Sequence, residues 1–311
     1  MRVTNSMVTR GITARLLESQ RLLAEAQERV ATGKKAQRMS DDPTSGSAAM
    51  QVGGRLRALE QFERNVSAVG GRLDAEESAL DQVTQLLTRA KELAVGQYGD
   101  TANAQTRRFT GAEVRQLFLQ ATAIANQKYG DDYLFGGTNQ TATLPFDPAQ
   151  TAVTPRFVAL DPAVVPPDPP AARLPVGRLE VEIGEGQRIA GPHDGSAVFV
   201  DTGVLGALHD LAVALETDAR AGIATAMTAI DAAFDDTQTL VGEVGARQNQ
   251  IGLVRASLAA LEESYTTRKS DLTEVDFERA VTEMMSRKTA YEAAMLASSR
   301  VMGLSLTDYL R

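Results

Sequence analysis

Valine, leucine or alanine recurs at every seventh residue through Val52, Leu59, Val66, Leu73, Leu80, Leu87 and Ala94. A second row beside it, Phe62, Val69, Val83 and Ala90, is interrupted by Arg55 and Glu76. An alternation of three and four residues sustained this long specifies a helix with a coiled-coil seam, because a 3.5-residue repeat keeps one stripe facing a partner helix. The spacing returns near the C-terminus at Phe277, Val281, Met284, Lys288, Tyr291, Met295, Ser298 and Met302. A chain with seams towards both ends is expected to assemble with something rather than to enclose a reaction.

Composition narrows the classes. The 311 residues include no Cys and no Trp, and 5% are aromatic. Burial therefore rests on aliphatic and alanine side chains, as in helix–helix packing. Disulfides, thiolate nucleophiles and Cys-ligated metals are excluded. The net charge of -8, with both signs interspersed, opposes a nucleic-acid footprint, which needs a basic stripe. Without an apolar run of about 18 residues, no membrane insertion is expected. The first twenty residues lack the continuous apolar stretch of a cleaved secretory signal. The chain is thus expected to be cytoplasmic, or exported by a route that reads no such signal.

Along the chain, Leu16, Leu23 and Val30 mark a first helix over about 11–31, closed by Gly33. Ser40, Asp41, Asp42 and Pro43 form a helix-start signal, with a capping side chain ahead of a proline in the first turn. The helix that follows is expected over 44–96, roughly 75 Å at 1.5 Å per residue, with Gly53-Gly54 and Gly70-Gly71 as weak points. A third helix is expected over 104–128. From Asp131 to Thr202 the helical period vanishes and most prolines gather. There Leu179–Ile183 alternates as a strand, Val198–Val200 is a second strand candidate, and Gly191–Gly195 is a turn. A short helix holding Leu208, Leu211 and Leu215 follows. A second long helix carries Ile223, Ile230, Val244, Ile251 and Leu258, interrupted by Thr237, Arg255 and Glu262. The fold class expected is mainly α: a long antiparallel helical hairpin or coiled-coil bundle with a small β-rich insert.

No catalytic constellation stands out. His193-Asp194 falls in a Gly/Pro turn and His209-Asp210 on a helix; both histidines are expected to be solvated. Thr32-Gly33-Lys34 lacks the upstream glycine of a phosphate loop. Asp41-Asp42 has no further carboxylates at calcium-loop spacing. Asn65-Val66-Ser67 and Asn139-Gln140-Thr141 match the glycosylation pattern, which chance produces often. No enzyme activity, metal or cofactor is expected.

Several stretches resemble the flagellin-like axial proteins of the bacterial flagellum, and among them the hook–filament junction proteins. They are Val30–Lys35 followed by Ser40-Asp41-Asp42-Pro43, Tyr133–Thr138, Ala290–Ala294 and Leu304–Leu310. Lys288 departs from the pattern, since relatives often carry Gln there. The resemblance implies a structural role: a subunit exported through the flagellar type III apparatus with a chaperone, self-associating in a helical ring between hook and filament. Its implied neighbours are another hook-associated junction protein and flagellin, and its implied location is the extracellular flagellum. It implies three domains: residues 1–42 with 272–311 for assembly, 43–135 with 203–271 as a helical rod, and 136–202 as an outer β-rich insert. The assembly interface is expected at Leu16, Leu23, Val30, Phe277, Val281, Met284, Tyr291, Met295, Met302, Leu306 and Tyr309. A filament subunit, or a non-flagellar coiled-coil adaptor, are the alternatives.

Overall fold

All seven residues of the main ladder are at most 7% exposed, and they sit in one unbroken helix. The computed structural model describes residues 5–36, 38–99, 102–138, 145–146, 159–160, 172–173 and 176–309; the side chains at 5, 6, 8, 9, 159–160, 172–173 and 301–309 lie outside it. Helix α1 is Asn5–Thr32, α2 Pro43–Tyr98 and α3 Ala104–Ala125. Helix α4 is Val204–Glu216, α5 Arg220–Thr273 and α6 Phe277–Tyr309. Three two-stranded antiparallel sheets are described: β1 (Lys128–Tyr129) with β2 (Asp132–Tyr133), β3 (Ala159–Leu160) with β4 (Ala172–Arg173), and β5 (Glu180–Gly184) with β6 (Gln187–Ala190). The chain divides into two compact units, one of Met1–Leu59 with Ala259–Arg311, the other Glu60–Leu258.

In the second unit α2 and α5 run antiparallel. Asp74 and Glu77 accept hydrogen bonds from Gln248 at 3.0 and 2.8 Å, Thr84 accepts one from Gln238 at 3.5 Å, and Lys91 pairs with Asp231 at 2.6 Å. The facing row on α5 is buried at Ile223, Ile230, Thr237, Val244, Ile251 and Leu258. Helix α4 is apolar on most of its surface and lies in the core, with Leu205, Leu208, Leu211 and Leu215 fully buried.

Gly111 decides how closely α3 approaches α4. A Cβ there would stand 3.2 Å from the Ala212 carbonyl and 3.0 Å from Glu216 Cγ. The expected cost of Gly111→Val is about 1–3 kcal/mol, the usual range for overpacking; an unchanged denaturant midpoint would contradict the assignment. The turn after α2 is held by Arg107, 4% exposed. It donates to the carbonyls of Gln97 at 3.0 Å and Gly99 at 3.4 Å and pairs with Asp218, so a carbonyl in the last turn of α2 and one just beyond it find a donor.

Three expectations about elements need correction. The third helix ends at Ala125 and not at 128, because the Asn126 side chain binds the Phe146 backbone and Lys128 pairs in β1 with Tyr133. Val198–Val200 is not a strand; it belongs to a π-helical turn, Ser196–Asp201. Its Phe199 packs edge-on against Phe135 and Phe146 at 5.0 and 5.7 Å, and that ring cluster outweighs the β-propensity of valine. Neither glycine pair interrupts α2: the Arg255 guanidinium stands at Gly70 and the Tyr129 hydroxyl at Gly71, whereas the space beside Gly53 and Gly54 is open among the described residues, and the helix continues through it.

Candidate assembly surface and the buried histidine

The first unit begins with its turns. Gly33 closes α1 with φ 68°, a left-handed conformation that suits glycine, and its N–H returns to the Arg29 carbonyl at 2.9 Å. Residues 33–35 then pair with the junction of α5 and α6. Lys35 N–H reaches the Thr273 carbonyl at 2.8 Å and Val275 N–H the Gly33 carbonyl at 2.8 Å. Asp42 caps α2: its carboxylate accepts the Ser45 N–H at 3.0 Å, and Pro43 is the first helical residue. Hydrogen bonding to Ser45 holds the Asp42 carboxyl below the usual carboxylate range. Asp41 accepts the Arg38 N–H at 3.1 Å and the Ser40 hydroxyl at 3.2 Å, which shapes the preceding turn.

Helices α1 and α6 pack against each other, with Arg29 donating to both oxygens of Glu283 at 3.3 and 3.4 Å. Ala26 and Ala280 are the fully buried apolar residues described on this pair. Leu16, Leu23, Val30, Val281, Met284 and Tyr291 are half-buried. Phe277 remains 62% exposed and Met295 48%. Met302, Leu306 and Tyr309 fall within α6, but their side chains lie outside the described ones. Sequence reasoning left Leu17 and Leu296 off the interface; they are 58% and 64% exposed, and Met285 is 63% exposed. The available signal was the apolar doublets Leu16-Leu17, Met284-Met285 and Met295-Leu296. Consecutive helical residues point about 100° apart, so Leu16 and Met284 are half-buried while Leu17 and Met285 turn outward; at Met295-Leu296 both residues are exposed.

Both histidines are buried, contrary to expectation. His209 is 5% exposed and meets the Phe118 ring edge-on at 5.9 Å. His193, 1% exposed, reaches Glu76 through Nδ1 at 2.5 Å and through its backbone N–H at 3.0 Å. Its Nε2 stands 3.0 Å from both Glu243 Oε2 and Arg247 Nη2. Glu76 is wholly buried. The bond to His193 pulls the Glu243 carboxyl below its ordinary range, whereas burial lowers the Arg247 guanidinium. A histidine between carboxylates resembles an orienting pair of acid–base catalysis, but this ring is sealed from solvent and a guanidinium faces its far nitrogen. Such geometry holds segments together. Among the described residues, no group of three or more His, Asp or Glu is placed to bind a metal. The signal for this cluster was Glu76 itself: a carboxylate in a buried ladder needs a partner.

One acid-sensitive contact lies between α3 and α4. Arg115 grips Glu216 with two bonds, 2.8 and 2.6 Å, and these hold the Glu216 carboxyl low. A depressed folded-state value contributes stability above the unfolded one, and that contribution is lost as pH falls through the folded one. Stability should therefore drop below about pH 4.3, with this half-exposed pair supplying less than about 1 kcal/mol. Glu216→Gln should flatten that part of the pH profile; an unaltered slope would contradict the assignment.

Long helices towards both ends of the chain, carrying outward apolar residues, define a mainly helical protein of the flagellin-like kind. The chain matches the N-terminal helical region of bacterial flagellin over residues 3–140 and the C-terminal helical region over 227–310. It belongs to the bacterial flagellin family. It is 25% identical to flagellar hook-associated protein 3 of Escherichia coli K12 over 293 residues, 90% of each chain. The fold is similar to that of Bacillus cereus FlgL, with TM-score 0.56 and 18% identity over 70% of this chain and 98% of that one. It is also similar to the flagellar junction protein FlgL of Legionella pneumophila, with TM-score 0.52 and 12% identity over 73% of this chain and 100% of that one.

Proposed function

We propose that this chain is a structural axial subunit of the bacterial flagellum that joins hook to filament and assembles through its terminal helices. The observation that carries the reading is the exposed apolar set on α1 and α6 in a chain similar to hook-associated protein 3 over 90% of its length. Apolar side chains such as Leu17, Phe277, Met285 and Leu296 gain by leaving water, and neighbouring subunits supply the burial. The role is structural rather than enzymatic. In this reading residues 1–42 and 272–311 make the assembly contacts, 43–135 with 203–271 form the helical body, and 136–202 faces outward. The subunit leaves the cell through the type III apparatus with a chaperone and works outside it, between a second junction protein and flagellin. A deletion strain should retain hooks, lack attached filaments, and shed flagellin into the medium. Full filaments on hooks in that strain would overturn the proposal. Label along the filament, instead of a short band at the hook's distal end, would assign the chain as a filament subunit.

A further inference from the structure

We infer that Glu76 and His193 set the register of α2 against α5. The apolar rows of the two helices both repeat every seven residues, Val66, Leu73, Leu80 and Leu87 on α2 against Ile223, Ile230, Val244, Ile251 and Leu258 on α5. Two such rows are nearly self-similar under a seven-residue slip, because the slip exchanges one aliphatic side chain for another. The Gln248, Gln238 and Lys91 contacts flank the seam and are largely solvent-exposed, so they discriminate weakly; inside the buried seam, a polar group distinguishes the registers. Thr237 does not, because its hydroxyl donates to the Ala233 carbonyl of its own helix at 2.6 Å and is satisfied in any register. Glu76 does. One of its oxygens takes both bonds from His193, and the other has no hydrogen-bond partner among the described residues, so the buried carboxylate depends on that histidine.

His193 is fixed from the other side by α5. Its Nε2 meets Glu243 and Arg247, and Arg247 also donates to Glu243 at 3.0 Å and to the Gly191 carbonyl at 3.3 Å. Arg178 adds positive charge near Glu243, and Asp194 is occupied by the N–H groups of Gly177 and Ala197. Sliding α5 by seven residues puts Asp236 or Gln250 where Glu243 stands, and Leu240 or Val254 where Arg247 stands. Both slips remove the guanidinium that anchors the ring and its strap. The hairpin therefore closes correctly only with the 191–195 segment in place, and His193 is a positioning residue for the whole bundle.

The absence of Cys makes the test clean, because spin labels go only where they are placed. Labels at Gln85→Cys and Leu253→Cys, both exposed, read the axial offset of α2 and α5 by pulsed electron paramagnetic resonance of the full chain. The parent and Glu76→Gln, which keeps an acceptor for His193, should each give one narrow distance. Glu76→Leu with His193→Leu should keep the helical content and add a second distance displaced by about 10 Å, the rise of seven helical residues. A single unchanged distance in that double variant would overturn the inference. So would loss of its helical signal, since the pair would then be a source of stability and not of register.

Discussion

His193→Ala should lower the unfolding free energy of the chain by about 3–5 kcal/mol, the range for breaking a buried pair by removing one partner. Both side chains of the His193–Glu76 pair are 0% exposed, so the substitution strands a carboxylate with no route to solvent. The loss exceeds what the missing ring contributes by packing. It includes the desolvation that Glu76 suffers without return. Removing both charges together behaves differently: Glu76→Leu with His193→Leu should be neutral or more stable than the parent in denaturant unfolding, because an aliphatic pair fits the surrounding seam. A single variant within about 0.5 kcal/mol of the parent, as typical surface changes are, would mean that the pair carries no such load.

The second large effect belongs to assembly. Leu296→Asp should leave the isolated chain nearly unchanged, since Leu296 is 64% exposed and exposed substitutions usually move stability by about 0.5 kcal/mol or less. Incorporation into the flagellum should fall steeply. Each subunit contact would lose the burial of a leucine, about 1.5–3 kcal/mol, and would have to desolvate a carboxylate as well. The measurement compares the melting curve of the purified chain with its recovery in sheared flagella. Normal recovery would remove Leu296 from the interface, and a collapsed melting curve would place it in the monomer core. Tyr291 suits this test less well, because it is half-buried and its loss would disturb packing within the first unit as well as assembly.

Much of the helical layout was legible from residues alone. Val52 to Ala94 fixed both the extent of α2 and its buried side, because in a helix that long only one stripe can avoid water. Gly33, Asp42 and Pro43 marked helix ends through local backbone chemistry, which needs no distant partner. The assembly stripe was partly legible. Periodicity found Phe277 and Met295, but which residues of the apolar doublets face outward, Leu17, Met285 and both Met295 and Leu296, depends on the direction from which the neighbouring helix approaches.

The buried histidine lay beyond sequence reasoning. The sequence marked Glu76 as a break in an apolar ladder, and that break required a buried partner. It did not say that His193 is the partner, 117 residues away. Nor could it show that a Gly/Pro turn would be folded against α2 and α5, or that Phe199 would be drawn into a ring cluster and leave the strand conformation. Periodicity and capping are local, written in spacings of a few residues, and so the sequence by itself determined the helices, their apolar faces and the family resemblance. Pairing of buried charges and the docking of irregular segments depend on contacts between residues far apart in the chain, and only the tertiary structure decided those.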